Sequence, residues 1–251
     1  MCLIVFAWRP GHSQPLIVAA NRDEFYARPT QALAPWPDAP QVYAGRDLEA
    51  GGTWLGVTTN GRFAALTNIR QPGQTPGLRS RGELVAGFLT GEQSPEVYMA
   101  EVADRAHEYT GFNLLVGDSG ALYYLGSRQP APQRLEEGVY GLSNAGLDTP
   151  WPKLRKARAG LAAHLSDPHP PALLALLSDG EPVAVGDLPD TGVGLATETL
   201  LSSVFIASAH YGTRASTVLI VEADGRQRLV ERSFGVQGVQ SGEVALNIRI
   251  G

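Results

Sequence analysis

The chain opens on a short apolar run, Cys2-Leu3-Ile4-Val5-Phe6-Ala7-Trp8, that stops at Arg9-Pro10-Gly11. A run of this length, rich in β-branched and aromatic residues and closed by a turn, predicts a buried strand. A second run, 16–20, pairs with it as a hairpin across 9–15. It ends in the polar cluster Asn21-Arg22-Asp23-Glu24, with Phe25 and Tyr26 close behind. The proline-punctuated stretch 28–41 reads as a loop without regular structure. Gly51-Gly52-Thr53-Trp54-Leu55-Gly56-Val57 leads into a further strand. Asn60-Gly61, the strongest short hairpin signal in the chain, joins that strand to 62–68.

In the middle of the chain the spacing becomes helical. Ser80 and Glu83 make a capping-box pattern ahead of Leu84, Val85, Phe88 and Leu89, and Gly91 is the stop. Ser94-Pro95 opens a second helix with Tyr98, Val102 and Ala106 on one face. Strands return at 112–116 and 121–125, and again at 139–143. Leu154, Ala157, Leu161 and Leu165 predict a helix from about 152 to 165, and a shorter helix follows over 171–177. The glycine- and proline-punctuated stretch 180–200 reads as a long loop. Strands at 204–207, 217–222 and 227–234, with a last short one at 244–250, close the chain. Strands fall in hairpin-like pairs and helices in pairs, without strand–helix–strand alternation. That order predicts an α+β protein, antiparallel sheets with helices layered on them. No repeat or composition break divides it, so residues 1–251 are expected to form a single domain.

Composition narrows the function classes. Lysine and arginine are spread thinly and the net charge is −5, so no basic block suggests nucleic acid or a membrane surface. The longest apolar run is far too short to span a bilayer, and no positively charged segment precedes it as in a secretory signal. The single cysteine rules out an internal disulfide and a CxxC zinc site and fits a reducing compartment. The expectation is a cytoplasmic protein with no integral membrane segment. His12, His107, His164, His169 and His210 show no metal-ligand spacing, so no metal and no cofactor is expected.

Cys2 is the residue with the most chemistry. A small side chain behind the initiator predicts removal of Met1, leaving a thiol and a free α-amine on one residue. The thiolate is a nucleophile, and an α-amine of pKa about 7.7–8.0 can take its proton near neutrality. The plainer reading is a small buried apolar residue. The other polar residues of interest sit at predicted strand ends, where Asn and Asp also serve as turn formers. They are Asn21, Arg22, Asp23 and Glu24 after the second strand, Asn68 and Arg70 after 63–67, Asn144 after 139–143, and Arg214 ahead of 217–222. Asn21, Arg22 and Arg70, with Trp54 as pocket wall, are the candidate ligand-binding residues. Lys153, Arg155, Lys156 and Arg158 are most simply a solvated helix face, though one a phosphate-bearing ligand could use.

Taken together, the motifs resemble one family over nearly the whole chain. They are Met1-Cys2, Asn21-Arg22-Asp23-Glu24, Arg28-Pro29-Thr30, the Gly-Gly-Thr-Trp-Leu-Gly stretch, Leu66-Thr67-Asn68-Ile69-Arg70, Gly141-Leu142-Ser143-Asn144 and Tyr211-Gly212-Thr213-Arg214. The family is the NRDE family, or transport and Golgi organisation protein 2 family. It resembles in turn the N-terminal nucleophile hydrolases of the penicillin V acylase and choloylglycine hydrolase branch. The resemblance implies a four-layer αββα sandwich of two antiparallel sheets and cleavage of a non-peptide C–N amide bond. Cys2 would be the nucleophile and its α-amine the base. Asn144 and Asn68 correspond to oxyanion-hole residues, and Arg214 to an arginine beside the nucleophile. Either Asp23 or Glu24 corresponds to the acid that holds the α-amine, while Arg22 falls out of register with the basic residue of that branch. Two functions follow: a thiol amidohydrolase acting on a small amide, or a carrier using the same pocket for haem or for a lipid or acyl-CoA. Either way the expected partner is a small molecule, amide, haem or lipid-like.

Overall fold

The first strand is buried on both faces, which is why its apolar run is unbroken. In a computed structural model that describes residues 2–251, the strands are β1 (Cys2–Trp8), β2 (Leu16–Phe25), β3 (Thr30–Trp36), β4 (Ala39–Asp47), β5 (Leu55–Thr58), β6 (Phe63–Asn68), β7 (Phe112–Gly117), β8 (Leu122–Gly126), β9 (Gln133–Arg134), β10 (Gly138–Leu142), β11 (Tyr211–Val221), β12 (Arg226–Phe234) and β13 (Gln240–Arg249). They form two antiparallel sheets, ordered β10-β1-β2-β11-β12-β13 and β3-β4-β5-β6-β7-β8-β9. Ile4, Phe6, Trp8 and Val18 face Leu55, Val57, Phe63 and Leu115 in the layer between the sheets. The alternate residues Leu3, Val5, Ala7 and Ile17 turn to the other face. There they meet α3 (Pro152–Ala163) and α4 (Pro170–Leu177) through Leu154, Ala157, Leu161, Leu173 and Leu177. On the outer face of the second sheet, α1 (Gly82–Thr90) and α2 (Pro95–Asp104) bury Leu84, Phe88, Met99 and Val102 against Ala64, Leu66, Leu114 and Val116. The result is the αββα sandwich that the resemblance implies. Among the described residues no helix is long and apolar enough to cross a membrane.

Several elements depart from the sequence expectation. The cluster 21–24 does not end the second strand but continues it, because β1 and β11 pair with it on both sides. The stretch 28–41 is the start of a hairpin, β3 to β4, rather than a loop. Its prolines are tolerated because β3 is an edge strand and Pro35 sits at a register irregularity. The capping box at Ser80 does not form. Glu83 is engaged by Arg79 and the Tyr109 hydroxyl, and no side chain caps α1. Residues 204–207 lie beside β11 without joining the sheet, and Ile206 exchanges bonds with the backbone and hydroxyl of Thr213. The stretch 180–200 contains a short helix, α5 (Leu195–Leu200).

Candidate active site

Cys2, at the start of β1, is paired directly with Arg22 on β2, and Arg22 in turn with Ala215 on β11. Residues directly opposite share a face, so Cys2 and Arg22 both point toward the second sheet. There they line a cleft of about 200 Å³ with Asp23, Glu24, Trp54 and Asn68. The Arg22 guanidinium lies 4.3 Å from the centroid of the Trp54 ring, and its Nη1 donates to Thr30 Oγ1 at 3.3 Å. Trp54 is positioned by glycines. A Cβ at Gly45 would collide with the edge of its ring, and one at Gly52 would overlap the Gly82 backbone at the start of α1. The Gly-Gly-Thr-Trp motif is thus a close backbone approach, closed by the Thr53 N–H donating to Gly82 O at 3.2 Å. The strand pairing sets Arg22 directly across from the thiol.

Burial pushes the Cys2 thiol above its ordinary pKa, and the Asp23 carboxylate adds to that; Arg22 and a hydrogen bond from the Asp23 backbone N–H pull the other way. Burial and Asp23 both favour the protonated thiol, so attack requires a base. The two candidate acids differ sharply. Asp23 is enclosed, and its Oδ1 accepts from Thr213 Oγ1 at 2.8 Å. Glu24 is half-buried on the cleft wall, and its Oε1 accepts from the Phe25 N–H at 2.8 Å. Burial raises the Asp23 pKa, opposed by Lys153, Thr213 and Arg70.

Asn68 lines the cleft, while Asn144 is fully buried behind it. Asn144 Nδ2 donates to Asn68 O at 2.8 Å, and its Oδ1 is buried without a hydrogen-bond partner among the described residues. Thr67 Oγ1 donates to Ser143 O at 2.7 Å, so the ends of β6 and β10 are stitched together across the two sheets. Arg214 does not line the cleft. It is the extra residue of a β-bulge in β11, between the pairs Thr213–Asp23 and Ala215–Arg22. Its Nη1 donates to the carbonyls of Phe25, Tyr26 and Arg28 at 2.8, 3.1 and 3.0 Å, bracing the turn after β2. Asn21 faces the helices. Its Nδ2 donates to Leu177 O and Val204 O, and its Oδ1 accepts from Ser216 Oγ.

Arg70 also turns away from the cleft, into a buried ion pair. Its Nη1 lies 2.5 Å from Glu198 Oε2, with the two side chains only 3% and 4% exposed. The Arg70 guanidinium is stacked 4.6 Å from the Trp151 ring centroid, and its backbone N–H donates to Asn144 O at 2.6 Å. Lys153 corrects the expectation of a solvated helix face. It is buried, and its Nζ donates to Leu201 O at 2.7 Å. Burial lowers its pKa to about 8, with the Asp23 carboxylate opposing the shift. Lys156 and Arg158 of the same helix are exposed and half-buried respectively, in surface ion pairs. Lys153 is therefore expected to make stability rise with pH between about 8 and the unfolded-chain value of about 10.4, because in that window the unfolded chain binds the extra proton. Urea unfolding of wild type and Lys153→Met at pH 7.5 and 10 checks this. Wild type should gain roughly 2–3 kcal/mol relative to the variant; parallel curves would exclude it.

The class so defined is an αββα sandwich that presents a lone cysteine at the end of an inner strand, in a cleft between its sheets. The chain belongs to the Transport and Golgi organisation 2 family, whose model matches residues 1–235. It is 40% identical to the bovine Transport and Golgi organization protein 2 homolog over 261 residues, covering 93% of each chain. It is 39% identical to the human homolog over 257 residues, again covering 93% of each. Among solved structures, a conjugated bile acid hydrolase mutant from Clostridium perfringens superposes with a TM-score of 0.45 at 10% identity, covering 98% of this chain and 92% of its own.

Proposed function

We propose that the cleft is the active site of a cysteine N-terminal nucleophile hydrolase that cleaves the C–N amide bond of a small molecule in the cytoplasm. The observation that carries the reading is Cys2 at the cleft end of an inner strand, with Arg22 opposite and the enclosed Asp23 next along β2. Met1 lies outside the described residues, and the mechanism requires a chain that begins at Cys2. The α-amine takes the thiol proton, and the sulfur attacks the amide carbonyl to form a C–S bond and an oxyanion. Asn68, on the cleft wall, is the candidate donor, and one such donor lowers the barrier by about 3–4 kcal/mol; Asn144, enclosed behind it, holds the Asn68 carbonyl and so positions that residue. Collapse breaks the C–N bond, and the α-ammonium returns its proton to the leaving amine. Water then hydrolyses the thioester, giving the acid and the free thiol. Asp23 holds the ammonium between these steps, Arg22 favours the thiolate, and Arg214 shapes the turn beside them.

The second reading is a carrier of haem, or of a lipid or acyl-CoA, in the same cleft. The burial that favours the protonated thiol supports it; the size of the cleft does not, since pockets for drug-sized ligands run to roughly 300–1,000 Å³. Intact mass after treatment with a thiol-directed acylating probe tests the hydrolase reading. Loss of one methionine and gain of one acyl group are expected, with no gain in Cys2→Ala, since the chain has no other thiol. Retention of Met1 in essentially all molecules would falsify it.

A further inference from the structure

We propose that the cleft selects a ligand bearing an anionic group, a carboxylate or a phosphate, and that Arg81 together with Arg22 binds it; this rests on the cleft being a ligand site, though not on catalysis. Four arginines, Arg22, Arg28, Arg79 and Arg81, face three carboxylates along the cleft, in a chain whose net charge is −5. Two of the four are already committed. Arg28 Nη2 lies 2.8 Å from Asp47 and its Nη1 3.0 Å from Glu49. Arg79 is paired with Glu83 at 2.5 Å and with Glu108 at 3.3 Å.

Arg22 and Arg81 have no carboxylate within ion-pair distance among the described residues. Arg22 donates to a hydroxyl and stacks on Trp54. Among the described residues Arg81 makes one long bond, Nη1 to Gly111 O at 3.3 Å. Holding a partly enclosed guanidinium without a counter-charge is costly. Burial accordingly lowers the Arg81 pKa, offset in part by Cys2 and Glu24 and worsened by Arg28. Such an arrangement is relieved when an anion enters. The planar fork of arginine matches the two oxygens of a carboxylate or phosphate. Arg22 stands directly across from the thiol, so the anion would sit beside Cys2, not at a remote surface.

Calorimetric titration with inorganic pyrophosphate and with succinate tests the proposal and separates its two sources. Binding of at least one is expected, weakened about tenfold or more in Arg81→Gln. Arg81→Lys, which keeps the charge but not the fork, should recover part of it, and Arg79→Gln should bind as wild type does. A pyrophosphate-only response assigns the phosphate, and a succinate-only response the carboxylate. Alkylation rates at Cys2 locate the anion. Iodoacetate should gain on neutral iodoacetamide relative to a free thiol, and Arg81→Gln should erase the gain. If neither anion binds and iodoacetate shows no gain, the proposal is overturned while the nucleophile reading stands. If Cys2 resists both reagents, the nucleophile reading fails and the titrations alone decide this one.

Discussion

Arg70→Met and Glu198→Met each destabilise the protein by about 3–5 kcal/mol, the cost of leaving one buried charge without its partner. The pair is enclosed, at 2.5 Å, and both residues carry further bonds. Glu198 Oε1 accepts from both the N–H and the hydroxyl of Thr191, at 2.8 and 2.5 Å, so α5 and the strand of chain ahead of it are tied to the end of β6 through this one carboxylate. Burial lowers the Arg70 pKa and the Glu198 carboxylate is the main opposing influence, which is why removing that carboxylate costs more than a surface pair would. The double variant Arg70→Met/Glu198→Met should recover more than half of the summed loss, since a well-packed apolar pair is often as stable as a buried ion pair. It should not recover all of it, because Thr191 loses its acceptor. Urea unfolding of the four proteins gives the coupling directly. Single variants within about 0.5 kcal/mol of wild type, the range of ordinary surface substitutions, would sink the account.

The architecture was legible because β1 announces itself. A strand with apolar residues on both faces has to be central, and the hairpin-like pairing of the runs around it leaves antiparallel sheets with helices outside. The position of Arg22 was also within reach. Once Trp8 pairs with Leu16 across the first turn, antiparallel counting puts Cys2 opposite Arg22. The polar cluster masks this, because Asn and Asp signal a turn at the strand's end as readily as its continuation. In the fold Asn21 and Asp23 are enclosed, with side-chain bonds to Ser216 and Thr213 of β11. Lys153 carried a readable signal too. It lies four residues ahead of Ala157, on the helix face that packs on β1, so its position predicts burial even though its charge argues against it. Glu198 and the bulge at Arg214 had no local signal. Glu198 sits in a stretch punctuated by glycine and proline, and its role exists only because Arg70, distant in sequence, reaches it. The bulge arises from how β11 registers against β2, which periodicity cannot reveal.

Asp23→Asn should lower amide turnover about a hundredfold or more while making the thiol easier to alkylate, and Glu24→Gln should do neither. The two effects have opposite signs because Asp23 acts on two groups. On the proposed mechanism its carboxylate holds the α-ammonium, so replacing it with a neutral amide removes the counter-charge that this cation needs during the reaction. The same negative charge raises the Cys2 pKa, so its loss lowers that value and increases the thiolate fraction near neutral pH. Iodoacetamide labelling at pH 7 therefore speeds up, and the difference from wild type vanishes at pH values above both thiol pKa values. Asparagine can still accept from Thr213 Oγ1, so the strand pairing at this point survives. The acid limb of the turnover profile adds a third reading. Burial raises the Asp23 titration above that of a free carboxylate, so wild-type turnover falls a second time as pH drops through that raised value, below the limb set by protonation of the α-amine; Asp23→Asn keeps the amine's limb and lacks this one. A variant that merely disturbed packing would slow turnover and leave the thiol pKa where it was. If Glu24→Gln is the one that loses turnover, and Asp23→Asn changes neither rate, the acid beside the amine is the half-buried one on the cleft wall and the enclosed carboxylate only anchors Thr213.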